Sequence, residues 1–371
     1  MERKETIHLS LGSNLGDRLQ NLQEAVFRLG IQVGDIIAIS KVYESPAWGF
    51  SGGNFLNLCL SLETKHPPLN VLKHVLLIEE SLGRTRTCSE GYSSRTLDID
   101  ILYYGNEIIN TKALTVPHPQ LQERLFVLLP LAEIAPQRYH PVLQKDTRNL
   151  LQQCKDKDMP KRTAHTLFKS RAALFSQTGF IAIEGNIGAG KTSLAKKMAT
   201  DFNAKLILER FAENPFLPSF YKDQARYAFP LEMSFLADRY QQFMDDTSQY
   251  DLFRGFMISD YDIYKSLIFA QITLQEQEFE LYRKIFGFMY KETQKPQIYM
   301  YLYQTTERLL ENIKLRGRDY EQNIGASYLE KINRGYFNFL KSYPKHRSLV
   351  LDISELDFVS KQEDYDFLIR K

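Results

Sequence analysis

The sequence has few cysteines, little net charge and no long apolar run. Its three cysteines, Cys59, Cys88 and Cys154, lack the spacing of a metal-binding set, which is typical of a protein in a reducing cytosol. A formal net charge of +2 does not indicate a general nucleic-acid or membrane surface. No apolar run approaches the length of a membrane span, and residues 1–5 lack a signal-peptide core. We therefore expect a cytoplasmic protein whose partners are small molecules, with no nucleic acid and no membrane.

At 371 residues the chain is long for one hydrophobic core, so two domains are expected. Its 43% hydrophobic and 25% charged residues are ordinary for a globular protein. Apolar periodicity breaks down after Cys154, where a charged stretch with a proline begins. We predict one domain over 1–154, a linker over 155–178 with a short helix near Leu167–Phe175, and a second domain over 179–371.

A short apolar run at 180–184 leads into a glycine-rich turn, and a Lys-Thr pair then opens an Ala/Lys/Leu-rich helix. This order of strand, loop and helix is typical of a phosphate-binding loop, in which backbone N–H groups turn toward the phosphates. The motif does not separate a kinase from an ATPase or a GTPase, and an ordinary glycine-rich turn is the structural alternative. The predicted ATP-binding residues of this loop are Gly185, Asn186, Ile187, Gly188, Ala189, Gly190, Lys191, Thr192 and Ser193.

Strand-like runs alternate with helical segments after this loop, which predicts a parallel sheet with helices on both faces. Glu209 follows the strand-like run Ala204–Leu208, at the edge where such sheets place their ligands. A carboxylate there can accept the proton of a substrate hydroxyl, although it is also an ordinary strand-ending charge. Arg316 and Arg318 are candidates for a lid over a transferred phosphoryl group, the alternative being helix C-terminal basicity.

Two aspartates two residues apart are the main chemical feature of the first half. Side chains alternate along a strand, so Asp98 and Asp100 share one face while their apolar neighbours face the core. Parallel carboxylates repel unless a cation lies between them, and oxygen ligands favour Mg²⁺. A solvated acidic edge strand is the alternative. Arg84, Arg86 and Arg95 favour polyphosphate chemistry, because arginine and metal together neutralise phosphate charge.

From about Ile7 to Leu151 the sequence resembles the hydroxymethyldihydropterin pyrophosphokinases, through motifs at Gly12–Asn14, Asn54–Thr64, Arg95–Ile101 and Leu114–His118. The resemblance implies an α+β ferredoxin-like fold and transfer of a diphosphate from ATP to the pterin hydroxymethyl group, leaving AMP. It implies that Asp98 and Asp100 hold Mg²⁺ and that Arg84 and Arg95 approach the phosphates. The implied ATP-site residues are Glu79, Arg86, Thr115, His118 and Arg124, and the implied pterin-site residues are Ser45, Pro46, Trp48, Phe55, Asn57, Tyr92 and Phe126.

In the first half, two of these side chains have properties that suit pterin binding, and two others depart from the family pattern. Asn57 can meet the amide-like edge of the pterin, and Phe126 can stack on its ring. Tyr92 stands where the family commonly has Trp, and Trp48 stands where an aliphatic residue is frequent. Both departures keep a stacking surface.

From about Phe180 to Ile353 the sequence resembles the deoxynucleoside kinases, which transfer the ATP γ-phosphoryl group to a deoxynucleoside 5′-hydroxyl with Mg²⁺. The resemblance implies an α/β P-loop kinase fold with Glu209 as the catalytic carboxylate. Tyr221 and Glu321 would hold the sugar 3′-hydroxyl, and Arg316 and Arg318 would form the lid. Thr192 and Asp260 would serve the metal.

This half departs from its family at two points. Glu232 stands where the family has a base-binding Gln; because a carboxylate only accepts hydrogen bonds, it favours a base that presents donors, such as guanine. The usual acidic-Arg-Ser motif reads Asp260-Tyr261-Asp262 and lacks its arginine, and Lys265 is the nearest candidate to supply the charge. Aromatic helical stripes are core or, as commonly in this family, a homodimer face.

We interpret the chain as a bifunctional transferase, a pterin pyrophosphokinase joined to a deoxynucleoside kinase, using ATP and Mg²⁺ in both halves. The alternative keeps the first enzyme and makes the second half a regulatory nucleotide-binding module, because the motif arginine is missing. A GTPase would need a guanine-specifying Asn-Lys-x-Asp sequence, which the chain lacks.

Overall fold

The computed structural model describes residues 4–84, 93–210, 214–220, 222–248, 255–318, 321–322, 324–342 and 348–371. The chain divides into two compact units, Met1–Leu174 and Phe175–Lys371, here called the first and second units. The division falls within the segment 155–178 that the sequence predicts as a linker, while the domain limits at 154 and 179 stay predictions. Among the described residues, no helix combines the length and apolarity that a membrane crossing requires.

The first unit begins with strands and helices in the order β-α-β-β-β-α-β, and a smaller C-terminal extension follows. Its strands are β1 Glu5–Ser13, β2 Asp35–Ile39, β3 Tyr43–Ser45, β4 Phe55–Thr64, β5 Asp98–Tyr104, β6 Ile109–Asn110, β7 Thr115–Val116, β8 Tyr139–His140, β9 Lys145–Asp146 and β10 Lys161–Arg162. Its helices are α1 Arg18–Gln32, α2 Pro68–Ser81, α3 Leu125–Ile134 and α4 Thr147–Gln153, with α5 Arg171–Phe175 at the division.

An antiparallel sheet in the order β10-β3-β4-β1-β5, with β2 also paired to β4, forms the centre of the first unit. One face packs on α1 and α2 through a large apolar core, and the other packs on α3 and α4. The connectivity and strand order are those of an α+β ferredoxin-like fold, as predicted. The predicted linker contributes β10 to the sheet edge, a strand too short for the sequence pattern to show.

The second unit is a parallel sheet between two helical layers, as predicted. Its strands, in the sheet order β12-β13-β11-β14-β15, are β12 Lys205–Ile207, β13 Met257–Ser259, β11 Phe180–Gly185, β14 Ile298–Tyr303 and β15 Ser348–Asp352. Its helices are α6 Lys191–Asp201, α7 Leu217–Phe220, α8 Gln224–Ser248, α9 Lys265–Thr273, α10 Glu276–Lys291, α11 Thr306–Arg316, α12 Ala326–Ser342 and α13 Gln362–Arg370.

Strand β11 shows why this sheet is buried on both faces. Ile181 and Ile183 belong to the core beneath α6, whereas Phe180 and Ala182 belong to the aromatic core beneath α9 and α12. A continuous apolar run satisfies both layers at once, which is typical of a central parallel strand. The carboxyl end of β11 therefore delivers the glycine-rich loop to the sheet edge.

Candidate active sites

A cavity of about 480 Å³, including the space open to solvent, lies at one end of the first unit's sheet. It collects residues from four of the unit's strands and from α3, separated by up to 116 positions in sequence. The lining residues are Ser10, Gly12, Ser45, Pro46, Trp48, Phe50, Phe55, Asn57, Arg95, Asp98, Asp100, Arg124 and Phe126. Most of the predicted pterin-site residues therefore line one cavity with both aspartates.

The two aspartates lie on one face of β5, as predicted. Ile99 and Ile101 point into the core, while the side chains of Asp98 and Asp100 stay 23% and 29% exposed. Asp98 is paired with arginine: its Oδ1 lies 2.8 Å from Arg84 Nη1 and 3.2 Å from Nη1 of Arg95.

Asp100 has weaker partners than Asp98. Its nearest cation is Arg124, whose Nη1 lies 3.6 Å from Asp100 Oδ2, and His118 Nε2 lies 3.9 Å from Oδ1. Burial and then Arg124 lower the pKa of His118 to about 4, so this imidazole is neutral at pH 7. Burial and the neighbouring charge of Asp98 raise the pKa of Asp100 to about 7, against the opposing effect of the arginines. Asp100 is thus the less well compensated carboxylate of the pair.

This donor set fits Mg²⁺, which prefers oxygen ligands and retains places for phosphate and water. Among the described residues, no group of three or more His, Cys, Asp and Glu side chains forms a closed metal cage. A metal bound by Asp98 and Asp100 would therefore take further ligands from the substrate.

Asn14 and Gly12 fix the loops around this cavity. The side chain of Asn14 donates to Gly53 O at 3.2 Å and accepts from Arg95 N at 2.7 Å, joining two loops. A Cβ added at Gly12 would lie 2.9 Å from Asn57 Oδ1, so this close approach requires glycine. The main chain of Arg95 is thereby fixed where its guanidinium reaches Asp98.

The other wall of the cavity is aromatic. The Arg124 guanidinium lies 4.7 Å from the ring centre of Trp48 and 5.7 Å from that of Phe126, so both rings lie close to one cation. Asn57 is buried and its Nδ2 donates to Ser45 Oγ at 2.9 Å, which fixes the amide orientation. A flat heterocycle with an amide-like edge fits such a wall.

Three of the predicted ATP-site residues that the structure describes, Glu79, Thr115 and His118, do not line the cavity. Glu79 is buried beneath β5, where its Oε1 accepts from Ile99 N at 2.8 Å and pairs with Arg84. Thr115 is exposed in β7 and does not line the cavity, and Arg86 lies outside the described residues, as does Tyr92 of the pterin set. Glu79 thus positions the aspartate strand and one arginine.

In the second unit, the loop after β11 has the backbone of an anion site. Gly188 and Gly190 have φ values of 84° and 81°, a left-handed conformation that favours glycine. A Cβ at Gly190 would lie 2.7 Å from the Phe358 ring, and one at Gly188 would lie 3.0 Å from Leu309 O. The loop ends at the N-terminus of α6, which adds its partial positive charge.

The predicted phosphate and metal residues converge at this loop. Lys191 Nζ donates to the carbonyls of Gly185 and Asn186 at 3.0 and 2.9 Å. The Thr192 hydroxyl donates to Asp260 Oδ2, while Asp260 Oδ1 accepts from Glu209 N at 2.8 Å. Thr192 and Asp260 therefore offer a hydroxyl and a carboxylate oxygen side by side, a pair that suits Mg²⁺ beside a phosphate.

Two cavities meet at this loop. Lys191, Thr192, Arg316 and Arg318 line both of them, so a phosphate held there lies between an inner and an outer compartment. The outer one, about 1220 Å³ including open space, is also lined by Gly188, Ala189, Gly190, Ser193, Gln304, Arg308, Asn312, Leu315, Leu356, Asp357, Phe358 and Val359. The inner one, about 830 Å³, is also lined by Ile187, Glu209, Leu217, Phe220, Leu231, Glu232, Phe235, Arg239, Asp260, Lys265, Phe269, Glu321 and Tyr328.

Glu209 is held between two buried cations in the inner cavity. Its Oε1 accepts from Arg239 Nε at 2.8 Å and its Oε2 accepts from Lys265 Nζ at 2.7 Å. Burial alone raises the pKa of Glu209, but Lys265 and Arg239 outweigh it and hold this pKa well below its usual range. The carboxylate is therefore ionised. Lys265 contacts it in this chain, which lacks the arginine of the family motif.

The lid arginines both contact Glu321. Arg316 pairs with Glu321 Oε2, and Arg318 Nη1 lies 3.2 Å from Oε1. Gly317 between them has a φ of 69° and ends α11, which turns the chain over the cavity. The other residue predicted to hold the sugar, Tyr221, lies outside the described residues.

Arg239 and Glu184 are functional candidates that sequence reasoning missed. Arg239 lies two helical turns after Glu232 on α8, so its i+7 spacing was the available signal. Glu184, in β11, accepts from Tyr336 Oη at 2.8 Å and from Asp262 N at 2.7 Å. Burial raises the pKa of Glu184 to about 7. It ties the phosphate-loop strand to the turn that carries Asp260.

The side chain of Asn186, one of the predicted loop residues, also makes contacts that support the loop. Its buried side chain donates to Leu329 O and to Asn333 Oδ1, both at 2.8 Å, which attaches the loop to α12. Ile187 N donates to its Oδ1 at 2.8 Å. The loop is thereby held in shape by the protein itself.

A carboxylate pair with arginines in one unit, and a glycine-rich anion loop with two arginines beside it in the other, define a two-unit phosphoryl-transferring protein. The deoxynucleoside kinase family model matches residues 181–371, and the 7,8-dihydro-6-hydroxymethylpterin-pyrophosphokinase model matches residues 8–136. The chain belongs to both families, one in each unit.

Two proteins similar in sequence support this assignment, one for each unit. A Bacillus subtilis protein named deoxyguanosine kinase is 39% identical over 192 residues, 50% of this chain and 92% of its own length. A 2-amino-4-hydroxy-6-hydroxymethyldihydropteridine pyrophosphokinase from Aquifex aeolicus is 44% identical over 141 residues, 38% of this chain and 86% of its own. A solved structure of M. mycoides deoxyadenosine kinase with bound dATP is 24% identical, with a TM-score of 0.45, over 51% of this chain and 97% of that one.

Proposed function

We propose that the protein is a bifunctional ATP-dependent transferase. The first unit moves the diphosphate of ATP to 6-hydroxymethyl-7,8-dihydropterin and releases AMP; the second moves the γ-phosphoryl group of ATP to a deoxynucleoside 5′-hydroxyl and releases ADP. The observation that carries the proposal is that each unit brings its own phosphate-binding set to its own cavity. A cytoplasmic location, dependence on Mg²⁺ and a homodimer through the second unit belong to this proposal as predictions.

In the first unit the aromatic wall holds the pterin and the charged wall holds the triphosphate. Trp48 and Phe126 offer flat faces, and Asn57 fixes the edge of the ring by hydrogen bonding. Mg²⁺ at Asp98 and Asp100, when bound, supplies charge neutralisation and alignment of the phosphates. Arg84 and Arg95 already lie against Asp98, where they can transfer their hydrogen bonds to phosphate oxygens.

In the second unit Glu209 orients the attacking hydroxyl and receives its proton. Because the pKa of Glu209 is held low, the carboxylate is a weak base, and it accepts the proton when bonding to phosphorus has made the hydroxyl acidic. The phosphate loop and Lys191 bind the donor phosphates, and the lid arginines neutralise the charge of the transferred group.

The deoxynucleoside we propose is deoxyguanosine. Glu232 lines the inner cavity with a carboxylate, which only accepts hydrogen bonds, and guanine presents a ring N–H and an amino group along one edge. The Bacillus subtilis relative, with 92% of its length covered, bears the name deoxyguanosine kinase.

A product assay with ATP tests both activities in one preparation. AMP should form with hydroxymethyldihydropterin and ADP with deoxyguanosine. Lys191→Met should abolish only ADP formation, because Lys191 belongs to the second unit's loop. Absence of pterin-dependent AMP would overturn the first activity, and absence of deoxynucleoside-dependent ADP would overturn the second.

A further inference from the structure

Glu232 has one occupied and one unoccupied carboxylate oxygen inside the inner cavity. The residue is 3% exposed on α8, and its Oε1 accepts from the Thr273 hydroxyl at 2.9 Å. Its Oε2 is buried and has no hydrogen-bond partner among the described residues. A buried polar atom without a partner is costly, so this oxygen is available for a donor brought by the ligand.

Arg239, the nearest guanidinium on the same helix, does not fill this role. Its Nε donates to Glu209 and its Nη1 to Ser266 Oγ, both at 2.8 Å. The positive charge closest to Glu232 therefore serves the catalytic carboxylate. Glu232 itself lines the inner cavity, together with the phosphate-loop residues Lys191 and Thr192.

Resting on the proposed deoxynucleoside kinase activity, we propose that the protonation state of Glu232 selects the purine: the carboxylate binds guanine, and the carboxylic acid binds adenine. The ionised group accepts from the ring N–H of guanine but places a lone pair against the ring nitrogen acceptor of adenine. A proton on Oε2 reverses this preference, because that oxygen then donates. Thr273 keeps Oε1 as an acceptor, so the proton belongs on Oε2.

The groups around Glu232 place the change in its protonation state near neutral pH. Burial raises the pKa of Glu232 to about 7, against Arg239 on α8, the Thr273 hydroxyl and then Lys265 on α9. From α10, the Tyr282 hydroxyl donates to the main-chain oxygen of Glu232 at 3.4 Å.

Two other carboxylates of the cavity, Glu209 and Glu321, are paired with cations. Glu209 is held by two cations, and Glu321 is held by Arg316 and Arg318 of the lid. Both carboxylates thus have cations in direct contact, whereas Glu232 has only a hydroxyl on Oε1. Unlike these two carboxylates, Glu232 has a charge that follows the pH near neutrality.

The test is the ratio of kcat/KM for deoxyguanosine to kcat/KM for deoxyadenosine, measured on the full chain from about pH 5.5 to 8.5 with saturating ATP. The ratio should rise by about tenfold per pH unit, the titration of one group. Effects of pH on Lys191 or Glu209 cancel in the ratio, because both substrates use the same catalytic groups. A ratio that does not change with pH would overturn the proposal.

Two variants on the same helix sharpen the test. Glu232→Gln is isosteric and both donates and accepts, so its ratio should lie near one and lose its pH dependence. Asp238→Asn removes an exposed carboxylate of α8 and should keep the wild-type profile. A Glu232→Gln profile equal to the wild type would contradict the proposal, and the wild-type profile decides even where the variant fails to fold. If the wild type phosphorylates neither substrate, the proposed kinase activity itself is wrong.

Discussion

The two units solve the problem of a negatively charged active site in opposite ways. In the first, Asp98 and Asp100 stand side by side, and burial with their mutual repulsion raises the pKa of Asp100 to about 7. In the second, Glu209 lies between Lys265 and Arg239, which hold its pKa below the usual range. In the first site Asp100 is only weakly compensated by cations, whereas Glu209 in the second is already neutralised by the protein.

This difference implies different roles for the carboxylates of the two sites. A repelling pair gains most from a divalent cation, so the first unit's carboxylates fit a metal site that forms with the substrate. A neutralised carboxylate gains nothing from a metal and is free to accept a hydrogen bond from a hydroxyl. In the second unit we propose that the metal role falls to Thr192 and Asp260, whose side chains are hydrogen-bonded to each other.

The largest expected effect comes from removing one carboxylate of the pair. Asp98→Asn or Asp100→Asn should lower pterin-dependent AMP formation by about 10³-fold or more, because a neutral amide no longer holds a divalent cation beside phosphate. ADP formation with deoxyguanosine should be unchanged in the same sample. Retention of AMP formation within about tenfold of the wild type would show that the pair is not the metal site.

The next largest effect is expected from replacing Glu209, the carboxylate that two cations neutralise. Glu209→Gln should lower kcat for deoxynucleoside phosphorylation by about 10²- to 10³-fold while ATP binding persists. AMP formation by the first unit is the internal control. Normal turnover in this variant would favour another base, whereas its loss argues against the regulatory-module alternative.

Sequence patterns predicted the parts of each site that are local in the chain. Alternation placed Asp98 and Asp100 on one face, and glycine spacing placed Lys191 and Thr192 at a strand-to-helix turn. The two folds followed from the order of strands and helices and from the family resemblance.

The parts that sequence missed depend on long-range contacts. Arg239 meets Glu209 across 30 positions, and Asn186 meets Asn333 across 147. Helical periodicity gives the face on which Arg239 lies but not what packs there. Glu184 was passed over because a central strand is expected to be apolar, and its partner Tyr336 lies 152 positions away.

A smaller effect tests whether Lys265 supplies the charge that the missing arginine would provide. Lys265→Met leaves Arg239 as the cation on Glu209, so the pKa of Glu209 should rise and the acid limb of the kcat profile should move to higher pH. We expect about a 10- to 10²-fold loss at pH 7. Lys265→Arg should restore most of the rate. An unshifted acid limb in Lys265→Met would mean that Lys265 does not control the charge of Glu209.

The smallest effect is on stability, where the sign of the pH dependence separates raised from lowered pKa values. The folded pKa of Glu232, about 7, exceeds its ordinary value of 4.5, so its contribution is fully present below about pH 4.5 and is lost as pH rises through 7. Glu232→Gln removes this loss and should stabilise the second unit at pH 8 by on the order of 1–2 kcal/mol, with little difference at pH 4.5.

Glu209→Gln should show the opposite trend, because a lowered pKa stabilises the fold above the ordinary pKa of 4.5 and loses that stabilisation as pH falls. Urea unfolding followed by far-UV circular dichroism measures both variants, and the fluorescence of Trp48, the chain's one tryptophan, monitors the first unit as a control. If both variants shifted stability in the same direction between pH 5 and 8, the contrast between a neutralised and a charge-deficient carboxylate would be wrong.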